Sequence, residues 1–567
     1  MRIGLLTEGG YPYAFGEAQG WCERLVRGLA GHDFALYALI AHSRPEARDP
    51  AELPANVTLT GRARLWGEVP AARPRVGRRA RRRFAEHFGD LVAACVAASA
   101  GERSAVDGQA DRFGSGLYGL ADLARTGVAL PALLRGEDAV RVLEAACHGP
   151  GAPSAVQGAQ VADLLACVAE LESALRPLSL DWYGEDGLAR VALCHAASAG
   201  TAALPGLLAK RFFGTPLLVT EHGVRLREHY LAHPGAPRSA PVRVLLAAFR
   251  RALAAETYAQ AALITPGSGR ARRWQERCGA DPARLRTVYP GMDAGPFAEV
   301  PDAAADDSAT LVWTGAIGPD KDLIGLLHAF AELRRAVPGA RLRIIGGLGA
   351  DPEAAGYRAQ CRALAVQLFP DEAVDDRTAG ESPVSFEEIG DPTAPTVVDV
   401  YASATVLVLS STVEGFPRSL VEAMFCGRAT VSTDTGAVCE VIGGTGLVVP
   451  PRNPRALADA CRALLTDPER RARLGAAARA RALELFTVEQ NLTAFRGIYA
   501  ELLARGPAGP AGCGAAAGGG VPRPFARPAE TRVPCGPSPT AAARPPSWAR
   551  GERADRAGGE AGRGEGA

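Results

Sequence analysis

Two glutamates, Glu414 and Glu422, stand eight residues apart in the stretch VLVLSSTVEGFPRSLVEAMFCG, Val406 to Gly427, which changes from strand-like to helix-like pattern between them. Val406 to Leu409 is short, apolar and β-branched, as in a parallel strand buried on both faces. Ser410 to Phe416 is small, polar and Gly-bearing, which ends the strand. Pro417 suits a first helical turn and Gly427 a left-handed stop, so the spacing predicts a helix over roughly 417–426. The first N–H groups of such a helix are unpaired, lie at the positive end of its dipole, and sit at the carboxyl edge of a parallel strand, where α/β sheets take ligands. A phosphate end-on at those amides, with hydroxyls against the flanking carboxylates, is the chemistry this supports. Nucleotide sugars carry both groups. The alternative is an exposed helix start with two glutamates brought together by chance.

The 567 residues allow two or more domains with cores of their own. Net charge +1 and 47% hydrophobic residues give no bulk attraction to nucleic acid or to a membrane, so function has to come from sites. Lysine occurs only at Lys210 and Lys321 in a chain rich in arginine, alanine and glycine, which singles out Lys321 in the loop AIGPDKD. The twelve cysteines form no C-x-x-C pair, which argues against a zinc site or a disulfide framework and for a reducing cytoplasm. No uncharged apolar run reaches the about 18 residues of a membrane span.

The elements that must position these residues follow a doubly wound rhythm. Strand-like runs at 2–6 and 34–40 flank a Gly-bearing loop and an amphipathic helix from about Gln19 to Ala30. Arg73 to Arg83 is strongly basic and reads as a solvated helix start, with a patch for an anionic surface as the alternative. From about 90 to 185 the chain is rich in Ala and Leu at helical spacing, a helical insertion. Strands at 189–193 and 216–220 each end in a polar cluster, Cys194-His195-Ala196 and Glu221-His222-Gly223, expected to face one cleft past the strand ends. A first domain over 1–298 gives way, through an acidic linker at 300–308, to a second over 309–486, with strands at 311–315, 341–346, 406–409, 429–433 and 447–450. A last helix fills 487–504. Residues 505–567 lack the large apolar residues needed for a core and are expected to be disordered.

Within 309–503 the loop TG-x5-KD (Thr314 to Asp322), the strand end IIGG (344–347), EGFPRSLVEAM (414–424) and VVPPRNP (448–454) resemble the nucleotide-binding domain of family 4 retaining glycosyltransferases of the GT-B fold. TEGGYPYAFGEAQGW (7–21), the segment 195–223 and the segment 264–286 resemble the N-terminal region of the PelF-like subgroup. The resemblance implies two Rossmann-like domains facing a central cleft. It also implies transfer of a sugar from a nucleotide donor, commonly UDP-linked, to a polysaccharide or glycoconjugate acceptor, with retention at the anomeric carbon. No cofactor or obligatory metal is implied, and no nucleic-acid partner. Peripheral association with a membrane polysaccharide-export complex is.

Carried over by position, Glu414 would bind donor-sugar hydroxyls, Glu422 the ribose, the amides of Arg418, Ser419 and Leu420 the diphosphate, and Lys321 its developing charge. Gly315, Gly415 and Phe416 belong to the same motifs. His195, Glu221 and His222 would face donor sugar and acceptor, and Gly16 would lie near the phosphates. Two departures stand out: Ala316 occupies the family's usual arginine position after Gly315, and Glu17 follows Gly16 where a second glycine is usual. They keep open a non-catalytic member that binds nucleotide sugar or a partner without turnover. A UDP-sugar epimerase on the same architecture is a third option.

Overall fold

The computed structural model describes residues 1–9, 11–13, 17–40, 53–67, 76–98, 106–231, 238–301, 309–347, 352–369, 373–375, 378–379 and 382–504. They fall in one compact unit, Met1–Cys513. The expected disordered tail, the linker over 302–308 and Gly16 lie outside the described residues, as does the side chain of Glu17.

The first half is a parallel six-stranded sheet built from β1 (Arg2–Glu8), β2 (Asp33–Ile40), β3 (Val57–Arg64), β4 (Leu193–Ala196), β5 (Leu217–Glu221) and β6 (Leu263–Pro266) in the order β3-β2-β1-β4-β5-β6. The helix α1 (Glu17–Gly28) joins β1 to β2. Between β3 and β4 the chain leaves the sheet for α2 (Arg78–Ala98), α3 (Val106–Arg125), α4 (Leu130–Leu134), α5 (Glu137–Cys147), α6 (Ser154–Gln157) and α7 (Val161–Leu175). This helical insertion starts at Arg78, earlier than its composition suggested. Arg78, Arg79, Arg81 and Arg82 of the arginine run are exposed in its first turns, and residues 73–75 lie outside the described residues. Glu172 fastens the insertion to the sheet: its carboxylate takes hydrogen bonds from Arg176 (2.9 Å) and Arg135 (3.0 Å), while Arg176 also reaches the carbonyl of Arg64 at 3.0 Å. The half closes with α8 (Leu204–Phe213), α9 (Arg225–Leu231), α10 (Ala240–Gln260) and α11 (Gly269–Arg277).

The second half repeats the plan: α12 (Leu323–Ala336) follows β7 (Thr310–Thr314), and α13 (Pro352–Leu368) follows β8 (Arg341–Ile345). A small antiparallel pair, β9 (Ala373–Asp375) and β10 (Thr378–Ala379), precedes β11 (Val384–Glu387) and α14 (Val397–Ala402). Next come β12 (Val406–Leu409), α15 (Arg418–Phe425), β13 (Ala429–Thr433), α16 (Val438–Ile442), β14 (Leu447–Val449), α17 (Pro454–Leu465) and α18 (Pro468–Leu485). The parallel order is β11-β8-β7-β12-β13-β14, so the order reverses direction between β7 and β12. Loops at the carboxyl ends of those two strands are where such a sheet takes a ligand.

The last helix, α19 (Val488–Ala504), crosses back to the first half. Its Leu492, Phe495, Ile498, Tyr499 and Leu502 are buried in one cluster with Ile3, Leu5 and Trp21. Each fully buried apolar side chain of that size contributes about 1.5–3 kcal/mol. The crossing is tight enough that a Cβ on Gly28 of α1 would fall 2.2 Å from Leu492. Among the described residues the cysteines are all free, and no helix is long and apolar enough to cross a membrane.

Candidate functional site

At the end of β7 the chain runs through Gly315 and a single 3-10 turn, Pro319–Lys321, into Asp322, whose φ of 50° turns it sharply. Asp322 then caps α12 by accepting from the Gly325 amide at 3.1 Å. That cap fixes Lys321 at the sheet edge. The loop after β12 clamps the turn from the other side: Thr412 N donates to the Asp320 carbonyl at 2.8 Å, and Ser410 Oγ to the Lys321 carbonyl at 2.7 Å.

Held this way, Lys321 Nζ lies 3.0 Å from Glu414 Oε2 and 3.4 Å from Asp320 Oδ2. Burial pulls the ammonium down, but the carboxylates of Glu414 and Asp320 outweigh it, so its pKa sits above the ordinary value. Lys321 therefore stays charged. Ser411 Oγ donates to the same Glu414 oxygen at 2.9 Å, which fixes the carboxylate's direction. Gly436, with φ of 59°, packs under this loop; a Cβ there would sit 2.5 Å from the Gly415 carbonyl. Only glycine allows that approach.

The helix α15 starts at Arg418 with Pro417 as its N-cap, and no side chain caps its first turn. Gly427, at φ 65°, ends it. Glu422 is partly buried, taking a hydrogen bond from the buried Tyr401 at 2.7 Å and facing Arg418 at 3.7 Å. Lys321, Glu414, Gly415, Arg418, Ser419 and Glu422 thus gather at one edge of the sheet. Phe416 and Leu420 belong to the same turn, but their side chains are buried in the core of the half, against Phe486 and Phe425 among others. Only their backbone can meet a ligand. Ala316 is exposed at the same edge.

The first half reaches this edge through Arg227 of α9, whose guanidinium donates to the Glu414 carbonyl at 2.7 Å. Burial and the neighbouring Arg270 pull the Arg227 pKa below its usual value. A second contact joins the halves: both oxygens of Glu440 lie 2.8 Å from the Gly269 amide at the start of α11, and Tyr289 donates to the same carboxylate at 2.9 Å. Arg227, Tyr401, Ser411 and Glu440 escaped the sequence reading. Arg227 had a signal: it lies six residues past Glu221, just beyond a strand end. The other three had none.

Two expectations are corrected. His195 is fully enclosed: β4 covers Leu193–Ala196, later than the expected strand, so His195 lies inside the sheet. Its Nδ1 meets Tyr499 Oη and its Nε2 meets Thr220 Oγ1, both at 2.7 Å. Burial, with His222 nearby, lowers its pKa to about 3, so it ties α19 to the sheet as a neutral ring and faces no donor. Glu221 is the last residue of β5 and 1% exposed. One oxygen accepts from the Ala199 amide at 3.1 Å; the other takes the Tyr258 hydroxyl and Gln275 Nε2. Burial raises its pKa above the ordinary carboxylate value. A carboxylate so occupied organises the loop ends and is not available as an acid/base at the donor. His222 differs. It stands edge-on to Trp21 at 5.1 Å, with Nε2 buried and without a hydrogen-bond partner among the described residues, and burial together with Arg24 lowers its pKa to about 4.

Residues 308–467 match the family described as Glycosyl transferases group 1, and residues 1–283 match a domain of unknown function, DUF3492. Among curated proteins, the D-inositol 3-phosphate glycosyltransferase of Kineococcus radiotolerans is 34% identical over 222 residues, 36% of this chain and 49% of that protein. That of a Nocardioides species is 29% identical over 317 residues, 52% of this chain and 65% of that protein. The chain therefore spans between about half and two thirds of the length of these relatives. Among solved structures, sucrose-phosphate synthase from Thermosynechococcus elongatus superposes with a TM-score of 0.53 at 19% identity, covering 89% of this chain and 99% of that one. Anabaena HepE in complex with UDP and glucose gives a TM-score of 0.50 at 14% identity, covering 88% of this chain and all of that one (100%). The chain thus joins a segment matching the Glycosyl transferases group 1 family to a DUF3492 segment, on the two-sheet architecture of GT-B glycosyltransferases.

Proposed function

We propose that this chain is a retaining, metal-independent glycosyltransferase of family 4, in the PelF-like subgroup, working in the cytoplasm. It moves a sugar from a UDP-linked donor to a polysaccharide or glycoconjugate acceptor. One observation carries the reading: the Lys321 ammonium and Glu414 carboxylate, 3.0 Å apart, stand beside the uncapped start of α15 at the edge where the strand order reverses, inside the segment matching Glycosyl transferases group 1. Lysine and helix N-terminus together supply fixed positive charge for a leaving diphosphate. The curated relatives are named for transfer to inositol 3-phosphate; transfer itself is all we carry over from them.

In the reaction, the acceptor hydroxyl oxygen bonds the anomeric carbon as the bond from that carbon to the diphosphate oxygen breaks. The hydroxyl proton passes to the leaving diphosphate on the same face, so no base from the protein is needed. Glu422 holds the ribose and Glu414 the donor-sugar hydroxyls. Arg227, donating to the Glu414 carbonyl, adds a cation beside the Glu414 loop. Release of nucleoside diphosphate over a panel of UDP-, GDP- and ADP-sugars tests this: one UDP-sugar should stand out. A second reading, binding without turnover, is favoured by exposed Ala316 alone. UDP binding with no release from any donor would establish it instead.

A further inference from the structure

Two arginines stand where the halves meet, past the carboxyl ends of adjacent parallel strands of the first sheet. Arg227 follows β5, in α9, and Arg270 follows β6, as the second residue of α11. The loops that carry them pack against each other: a Cβ on Gly267 would fall 2.7 Å from the His222 ring. Both loops also touch the second half. Arg227 donates to the Glu414 carbonyl at 2.7 Å, and the amide of Gly269, next to Arg270, is held by Glu440 at 2.8 Å.

Among the described residues neither guanidinium makes an ion pair. The carboxylates of the region are engaged elsewhere: Glu228 with Arg225 at 3.4 Å, Glu414 with Lys321 at 3.0 Å, and Glu440 with the Gly269 amide and the Tyr289 hydroxyl. Glu228 and Glu414 still favour a charged Arg227 through space, but burial and the neighbouring Arg270 outweigh them. Arg270 Nε is shut off from solvent and has no hydrogen-bond partner among the described residues. A buried charged donor left unmatched beside a second cation is costly, and an anionic oxygen beside the pair removes that cost.

The diphosphate of the donor draws its positive charge from the second half, in Lys321 and the start of α15. The two arginines come from the first half, and the one that crosses lands on Glu414, the residue that takes the donor-sugar hydroxyls. The anion they fit is therefore on the sugar. We propose that the donor sugar is a hexuronate, its ring carboxylate held by Arg270 and Arg227 while its hydroxyls meet Glu414. A planar carboxylate matches the guanidinium fork, which a neutral hydroxymethyl group cannot do. This deepens the glycosyltransferase reading and rests on it, adding the class of sugar transferred.

Calorimetric titration on the full chain, with UDP, UDP-glucose, UDP-galactose, UDP-glucuronate and UDP-galacturonate as probes, tests this. Expected is that at least one uronate binds about tenfold to a hundredfold tighter than the neutral sugar of the same configuration. Arg270→Gln should remove that preference, the loss falling on the uronate, and Arg270→Lys should keep part of it. Retained UDP binding shows that each variant is folded. Neutral sugars binding as tightly as their uronates, or a uronate preference indifferent to Arg270→Gln, overturns the hexuronate. So does an Arg270→Gln chain that loses as much affinity for UDP alone as for the uronate, because the arginines then serve the diphosphate. UDP binding without a uronate preference fails the hexuronate and leaves the donor reading standing; no binding of UDP or of any UDP-sugar fails both.

Discussion

Glu414 makes two kinds of contact at once: its carboxylate takes Lys321 and Ser411, and its carbonyl takes Arg227. Replacing it with glutamine keeps the shape and removes the charge. Glu414→Gln should lower kcat/KM for the preferred UDP-sugar about tenfold to a hundredfold while UDP itself binds nearly as before, because the lost interaction is with sugar hydroxyls. Steady-state kinetics with UDP as inhibitor separates the two. That Glu414 and Lys321 meet at one sheet edge could be anticipated because each stands at a strand-to-helix junction marked by proline and glycine, whereas Glu422 lies inside α15. Tyr401 and Ser411 could not be anticipated, since nothing local distinguishes them. His195 was misread for a definable reason: LCHA is an ordinary central-strand run whose polar member is satisfied by residues 25 and 304 positions away in sequence.

Among elements, α11 and α16 carry one of the contacts between the halves. The Glu440 carboxylate stands at the first amide of α11, where a negative charge also favours the helix dipole. Glu440→Ala should cost about 1–3 kcal/mol, seen as a lower denaturant midpoint with an unchanged slope. A midpoint equal to wild type would mean the contact adds nothing. Most of the longer elements of the second half could be read to within a residue or two, with helices capped by Asp322, Asn453 and Asp467, whereas the short α14 and α16 were not read. Four strands were missed: the short antiparallel pair β9 and β10, and β3 and β11, the outer strands of their sheets. An outer strand buries less, and VTLTGRAR shows it: only Val57 and Gly61 are buried. The helical insertion was recognised by composition.

Across the whole molecule, α19 ties the end of the second half to the sheet of the first, with the hydrogen bond from Tyr499 to His195 at its centre. Tyr499→Phe should leave His195 Nδ1 unsatisfied and cost about 1–3 kcal/mol of stability without weakening UDP binding, as thermal unfolding with and without UDP would show. Acid acts at the same place. Folded His195 stays neutral down to about pH 3, whereas the unfolded chain takes up that proton near the ordinary 6.5. Between those values the unfolded state binds more protons, so stability is complete above 6.5 and falls as pH drops through the window, by on the order of 2 kcal/mol at pH 5 from this ring. Unfolding midpoints that do not fall between pH 7 and 5 would contradict a buried neutral His195. The doubly wound plan of both halves was legible from their rhythm of strand, loop and helix; the return of α19 was not, since its apolar face names no partner. The central claim is that Lys321 and the start of α15 hold a nucleoside diphosphate, and calorimetric titration of UDP into wild type and Lys321→Ala tests it most directly. The account predicts binding to wild type and about tenfold to a hundredfold weaker binding to the variant. Equal affinities, or no UDP binding to wild type, would contradict it.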